Sequence, residues 1–134
     1  MNKFSARGYY VKENAPVYFT NNMDNTLKWF EEVLGWYGGI DERNENGEGL
    51  YGCVYSIPPE LEVTHVIPFM GFHMFYGEPK QERICFMNVQ GIEQMYQYIA
   101  SKGWTNITEI KTQSWGGKTF SLTTIDGCII DIFE

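Results

Sequence analysis

The chain is short of basic residues, of cysteine and of long apolar runs, and each shortage removes a class of protein. Ten Lys and Arg stand against seventeen Asp and Glu, a formal charge of −7, which repels phosphate backbones and anionic lipid headgroups. No local basic patch reverses this, so neither nucleic acid nor a membrane is expected as a partner. The opening MNKFSARGYYVKENAP has no apolar core of a signal peptide, and no apolar run is long enough to span a bilayer. A cytoplasmic protein is the expectation. The three cysteines, Cys53, Cys85 and Cys128, are odd in number, widely spaced and set in apolar strand-like contexts. They fit buried free thiols rather than a disulfide framework or a CxxC zinc site. Also missing are a GxSxG elbow, an HExxH helix, a glycine-rich phosphate loop and a basic-aromatic stripe.

What remains is 134 residues, 43% hydrophobic and 16% aromatic, enough for one well-buried core and too little for two ordinary domains. Met23, Leu27, Phe30 and Leu34 fall on one face of a helix over 23 to 34, with Asn22 as its cap and Gly35 as its stop. Ile92, Met95, Ile99 and Ala100 do the same over 92 to 102, with Gly103 as the stop. Both helices run into Gly-Trp, at Gly35-Trp36 and Gly103-Trp104, which suggests an internal repeat with an offset of 68. That offset superposes Ala15 to Phe19 on Arg83 to Met87, and Gly49 on Gly117, the latter pair each followed by a strand-length segment. Each half then reads strand, helix and three strands. An insertion around Pro58 to Pro68 changes the offset to 58 for the last strands, so that Phe72 to Phe75 match Ile130 to Phe133 and His73 matches Asp131.

The expected fold class is therefore α+β, with two βαβββ modules forming a curved mixed sheet around a cavity and helices on the outer face. Module 1 spans about 15–79 and module 2 about 80–134, after an N-terminal arm of residues 1–14. The arm carries Phe4, Tyr9 and Tyr10 and is either a segment that crosses to a partner chain or a plain tail. The alternation of strand side chains predicts that Val17, Phe19, His73, Phe75, Arg83, Cys85, Met87, Ile129, Asp131 and Phe133 share the face away from the helices. Tyr51 and Tyr55 alternate along the third strand and are candidates for the same wall.

The run Trp115-Gly116-Gly117-Lys118-Thr119-Phe120, followed by Asp126-Gly127-Cys128-Ile129-Ile130-Asp131, resembles the closing pattern of the vicinal oxygen chelate superfamily. That superfamily includes glyoxalase I, bleomycin-resistance proteins and extradiol dioxygenases. Leu27 to Trp36 resembles its first helix and Leu-Gly-aromatic exit. Metal-dependent members take one ligand from the first and one from the last strand of each module. The repeat maps those positions onto Ala15, His73, Arg83 and Asp131, of which only His73 and Asp131 have donor atoms for a cation. Thr124-Ile125 stands where the pattern has Asp-Pro, and Asp131 where it has Glu.

The resemblance thus implies a bleomycin-resistance-like homodimer that binds a small planar or anionic molecule in an apolar cavity, without a metal cofactor. The ligand-binding candidates are His73, Phe75, Arg83, Asp131, Trp115 and Tyr55. Arg83 is read as an anion anchor or as one half of an internal ion pair with Asp131, and these readings are compatible. Trp115 either stacks on a planar ligand or plugs the cavity. The insertion at 58–68, with His65, is read as a lid. The alternative is a lyase, isomerase or dioxygenase with a divalent metal held partly by His73 and Asp131.

Overall fold

The computed structural model describes residues 7–9, 11, 14–56 and 70–134. The insertion with His65, and most of the N-terminal arm, lie outside these residues. Strand β1 (Val17–Thr20) leads into helix α1, which begins as an α-helix over Met23–Trp29 and closes as a π turn over Phe30–Leu34. Asn22 Oδ1 accepts from the Asn25 backbone N–H to start the helix, and Gly35 ends it at φ 72°. The strands β2 (Tyr37–Arg43), β3 (Gly49–Tyr55) and β4 (Gly71–Tyr76) complete the first module. The second repeats the order: β5 (Arg83–Asn88), α2 (Ile92–Ser101), β6 (Lys111–Thr112), β7 (Lys118–Thr123) and β8 (Ile129–Phe133).

The modules form two separate four-stranded sheets, ordered β1-β4-β3-β2 and β5-β8-β7-β6. In each, the first strand lies parallel to the last and the other neighbours are antiparallel. The strand-helix-three-strand repeat is as the sequence predicts, with its sheet divided in two. Both sheets bury their helix side in one shared core that joins Tyr18, Phe30, Trp36 and Phe72 to Ile99, Phe120, Leu122, Ile130 and Ile132. Each such fully buried apolar side chain contributes roughly 1.5–3 kcal/mol by leaving water. Trp29 stacks edge-on to Trp104 at 5.2 Å between ring centroids, so these tryptophans pack around the helix ends.

A polar knot reinforces the junction between modules. Asp126, in the turn before β8, accepts hydrogen bonds from the hydroxyls of Tyr18 (2.7 Å) and Thr26 (2.8 Å), with Thr20 at 3.3 Å. All three donors belong to the first module and are buried. Tyr18 Oη also lies 2.7 Å from Thr124 Oγ1.

The second face of each sheet, away from the core, is open. On β4, Phe72 and Met74 are fully buried while His73 and Phe75 look outward; on β8, Ile130 and Ile132 are buried while Asp131 looks outward. This places His73 and Asp131 at equivalent positions, as the offset of 58 requires.

Candidate functional site

The six ligand-binding candidates divide between the two open faces. His73, Phe75 and Tyr55 lie on the first sheet; Arg83 and Asp131 lie on the second, with Trp115 in the turn leading into β7. They therefore do not converge on one cavity within a single chain.

On the second face, Asp131 is the hub. Its Oδ2 accepts from Arg83 Nε at 2.9 Å and its Oδ1 from Ser121 Oγ at 2.6 Å. Ser121 is the cross-strand partner of Asp131 on β7, so strand register supplies the contact. The Asp131 side chain is 17% exposed and that of Arg83 69%. Among the described residues the terminal nitrogens of Arg83 have no protein acceptor. The carboxylate thus fixes one edge of the guanidinium and leaves the outer edge to solvent. Arg83, Phe86, Trp115, Thr119 and Asp131 line a hollow of about 380 Å³ here, within the range of small-molecule pockets.

Trp115 is 62% exposed, yet it is seated. Its indole ring covers Gly117, where any Cβ would overlap the ring. The Trp-Gly-Gly run carries this signal: glycine is needed at 117 because an aromatic plane occupies the space of its side chain. Gln113 Nε2 donates to Thr119 Oγ1 at 2.8 Å along the same rim.

Two residues expected on this face are not there. Cys85 and Met87 pack toward the core, and Phe86 takes the outward place opposite Asp131, 4.6 Å from Phe133 between ring centroids. The cause is a β-bulge. Arg83 pairs with Ile129 but Cys85 pairs with Ile130, so Ile84 is an extra residue and the alternation inverts beyond it. Burial, and then the charge of Asp131, raise the Cys85 thiol above its ordinary pKa.

On the first face, β1 and β4 run in register so that Val17 neighbours His73 and Phe19 neighbours Phe75. Cys53 is the antiparallel partner of His73, and Tyr51 that of Phe75. Tyr51 Oη lies 2.8 Å from His73 Nδ1, and Cys53 Sγ lies 3.6 Å from the same nitrogen. Tyr55 stacks on Tyr37 at 5.1 Å. The role of Cys53 was not foreseen, although the alternation of Tyr51, Cys53 and Tyr55 along β3 places all three on one face.

A larger groove of about 1100 Å³ runs between α2, β5 and the end of α1, lined by Trp36, Cys85, Met87, Met95 and Tyr98. It is bordered by Asn14, Ser56 and Met70, next in sequence to residues outside those described, and no role is assigned to it.

The whole chain compares most tellingly with the crystal structure of a glyoxalase-related enzyme from Clostridium phytofermentans. The two are 51% identical over 96% of this chain and 98% of that one, with a TM-score of 0.89. The chain belongs to the vicinal oxygen chelate superfamily. The bleomycin resistance protein domain model matches residues 15–77, the first module. A bleomycin-binding protein solved in complex with bleomycin shares this superfamily fold at TM-score 0.66 and 14% identity, covering 92% of this chain and 98% of that one. So does a glyoxalase/bleomycin resistance protein/dioxygenase superfamily member from Sphaerobacter thermophilus, at 0.64 and 16%, covering 94% and 97%. No curated protein sequence gives a significant match.

At the positions where some superfamily members hold a metal, few side chains among the described residues could ligate one. β1 places Val17 beside His73, and Ala15 precedes the strand; β5 places Phe86 beside Asp131. None of these three side chains has a donor atom. Both oxygens of Asp131 are engaged by Arg83 and Ser121. Among the described residues no three His, Cys, Asp or Glu side chains cluster. Nor is any helix among them long and apolar enough to cross a membrane.

Proposed function

We propose that this protein is a metal-independent binder of a planar, anionic small molecule, held on the second sheet between Arg83 and Trp115. The observation that carries the reading is the half-used guanidinium. Asp131, itself steadied by Ser121, aims Arg83 through Nε alone, and the remaining edge presents the two-donor fork that matches a carboxylate. Trp115, fixed against Gly117, supplies a flat apolar surface at the same hollow. The Arg83–Asp131 ion pair and the anchor are the same device: the pair orients what the ligand uses.

A second copy of the chain completes the cavity in this reading. Val17 and Phe75 on the first open face, and Phe86 and Trp115 on the second, are all between 39% and 68% exposed. Exposed apolar side chains gathered on two sheet faces mark association surfaces. Joining the first face of one copy to the second face of another would bring His73, Phe75 and Tyr55 toward Arg83. Light scattering on the purified chain checks the dimer.

The ligand test is a calorimetric comparison of aromatic carboxylates with their neutral amides, against wild type and Arg83→Met. A charge-assisted pair of hydrogen bonds contributes about 1.5–3 kcal/mol, so Arg83→Met should weaken carboxylates by roughly 10- to 150-fold and leave amides unchanged. Affinity that survives chelator treatment supports metal independence. Equal carboxylate affinity in wild type and Arg83→Met would sink the anchor.

A further inference from the structure

The first sheet carries a cluster of its own, apart from the hollow that Arg83 and Trp115 line in the same chain. Cys53, His73 and Tyr51 come from adjacent strands β3 and β4, and their polar atoms form a closed triangle. Tyr51 Oη is 2.8 Å from His73 Nδ1 and 3.5 Å from Cys53 Sγ, which is in turn 3.6 Å from Nδ1. One hydrogen-bonded circuit fits these distances: the thiol donates to the phenol oxygen, and the phenol donates to the imidazole. It is a path by which a thiol proton reaches a base.

We propose that Cys53 is a nucleophile for small electron-poor alkenes conjugated to a carbonyl, with His73 as its base and Tyr51 as the proton relay between them. Sγ gives its proton to Tyr51 Oη as Tyr51 gives its own to His73 Nδ1. The thiolate forms a C–S bond to the β-carbon, and the C=C π pair moves onto the α-carbon and carbonyl as an enolate. The imidazolium then returns its proton to the α-carbon. Nothing is oxidised and no group leaves; the product is a thioether.

The surroundings suit a flat, apolar electrophile. Phe75 lies against Tyr51, 5.0 Å between ring centroids, and the neighbouring Val17 is 42% exposed, so the sheet face is open to approach. Cys53 itself is 7% exposed, which admits a slim planar reagent along the strand face and hinders a bulky one. The other thiols lack this arrangement. Cys85 and Cys128 pack into the shared core, and burial raises both above the ordinary thiol pKa. Neither has an imidazole as hydrogen-bond partner among the described residues.

The experiment is N-ethylmaleimide labelling of the native 134-residue chain, with the rate at each cysteine read by peptide mass spectrometry. Labelling at Cys53 should exceed that at Cys85 and Cys128 by about tenfold or more, and His73→Gln should slow it by about tenfold, the modest end of general-base assistance. Tyr51→Phe should slow it as well, because it removes the relay between thiol and imidazole. In unfolded protein the three rates should converge. Cys53 reacting no faster than the other two in wild type overturns the proposal without recourse to any variant. An unchanged rate in folded His73→Gln overturns it too, as does acceleration by a chelator, which would mean that the thiol holds a metal.

Discussion

Removing the Asp126 carboxylate should loosen the seam between the modules, and its effect can be worked out bond by bond. Asp126 accepts two short hydrogen bonds from buried hydroxyls, Tyr18 at 2.7 Å and Thr26 at 2.8 Å, with a longer one from Thr20. Hydrogen bonds to a charged acceptor contribute about 1.5–3 kcal/mol each. The lower end applies here, because Tyr18 keeps Thr124 as a partner and Thr26 keeps Thr20 and the Asn22 carbonyl. Two short bonds at that value make Asp126→Ala destabilising by about 3 kcal/mol, or roughly 10 °C in Tm for a chain of this size. Asp126→Asn, which retains one acceptor oxygen, should lose about half as much. Urea denaturation followed by fluorescence measures both, with an unchanged m-value as the sign that the denatured state is unaffected. In a double-mutant cycle Tyr18→Phe should couple to Asp126→Ala by about 1 kcal/mol or more. A loss below about 1 kcal/mol in Asp126→Ala would show that these bonds merely exchange for water and that the apolar core alone joins the modules.

Other perturbations test neighbouring claims. Burial, and then the negative charge of Asp126, push the Tyr18 phenol far above its ordinary value of 10.0. Above that pH the unfolded chain loses a proton that the folded chain keeps, so stability should fall as pH rises past it, and Tyr18→Phe should remove up to about 1.4 kcal/mol per pH unit of that slope. At the acid end, the backbone N–H groups of Ile92 and Gly91 hold Glu134 below its ordinary 4.5. The stabilisation is present above that pH and lost as pH falls through the lowered value, so Glu134→Gln should flatten the acid limb of a denaturation series. Gly117→Ala should unseat the Trp115 indole; a change in its fluorescence, with weaker binding of planar ligands and an almost unchanged Tm, checks the platform.

Much of the fold was legible because its signals are local and doubled. Helix α1 was placed from the spacing of Met23, Leu27, Phe30 and Leu34 between Asn22 and Gly35, and the structure keeps those limits. What the spacing did not show is that Thr26, Trp29 and Val33 are buried as well. They belong to a second contact face, created where the modules share a core and the last turn widens to a π turn; a single periodicity describes only one face. The division into two sheets was also out of reach, since alternation says which side a residue takes and nothing about which strands pair. Asp126-Gly127 carries only the local signature of a turn, because the carboxylate finds its partners about a hundred positions away.

The candidate site shows where a repeat helps and where it misleads. Matching His73 to Asp131 worked because β4 and β8 are regular central strands, each held on both sides by ladder partners that fix its register. Matching β1 to β5 failed at Cys85 and Met87 because β5 is an edge strand, free on one side to take in the extra residue Ile84. That bulge has a chemical consequence. It leaves Arg83 on the open face, in reach of Asp131, while bringing aromatic Phe86 opposite the carboxylate and turning a thiol into the core. An unbulged β5 would set Cys85 near Arg83 and Asp131 on the open face, and make the second sheet a place for thiol chemistry. With the bulge, the second sheet offers a charged fork beside flat apolar surfaces, and the outward-facing thiol of this protein is Cys53 on the first.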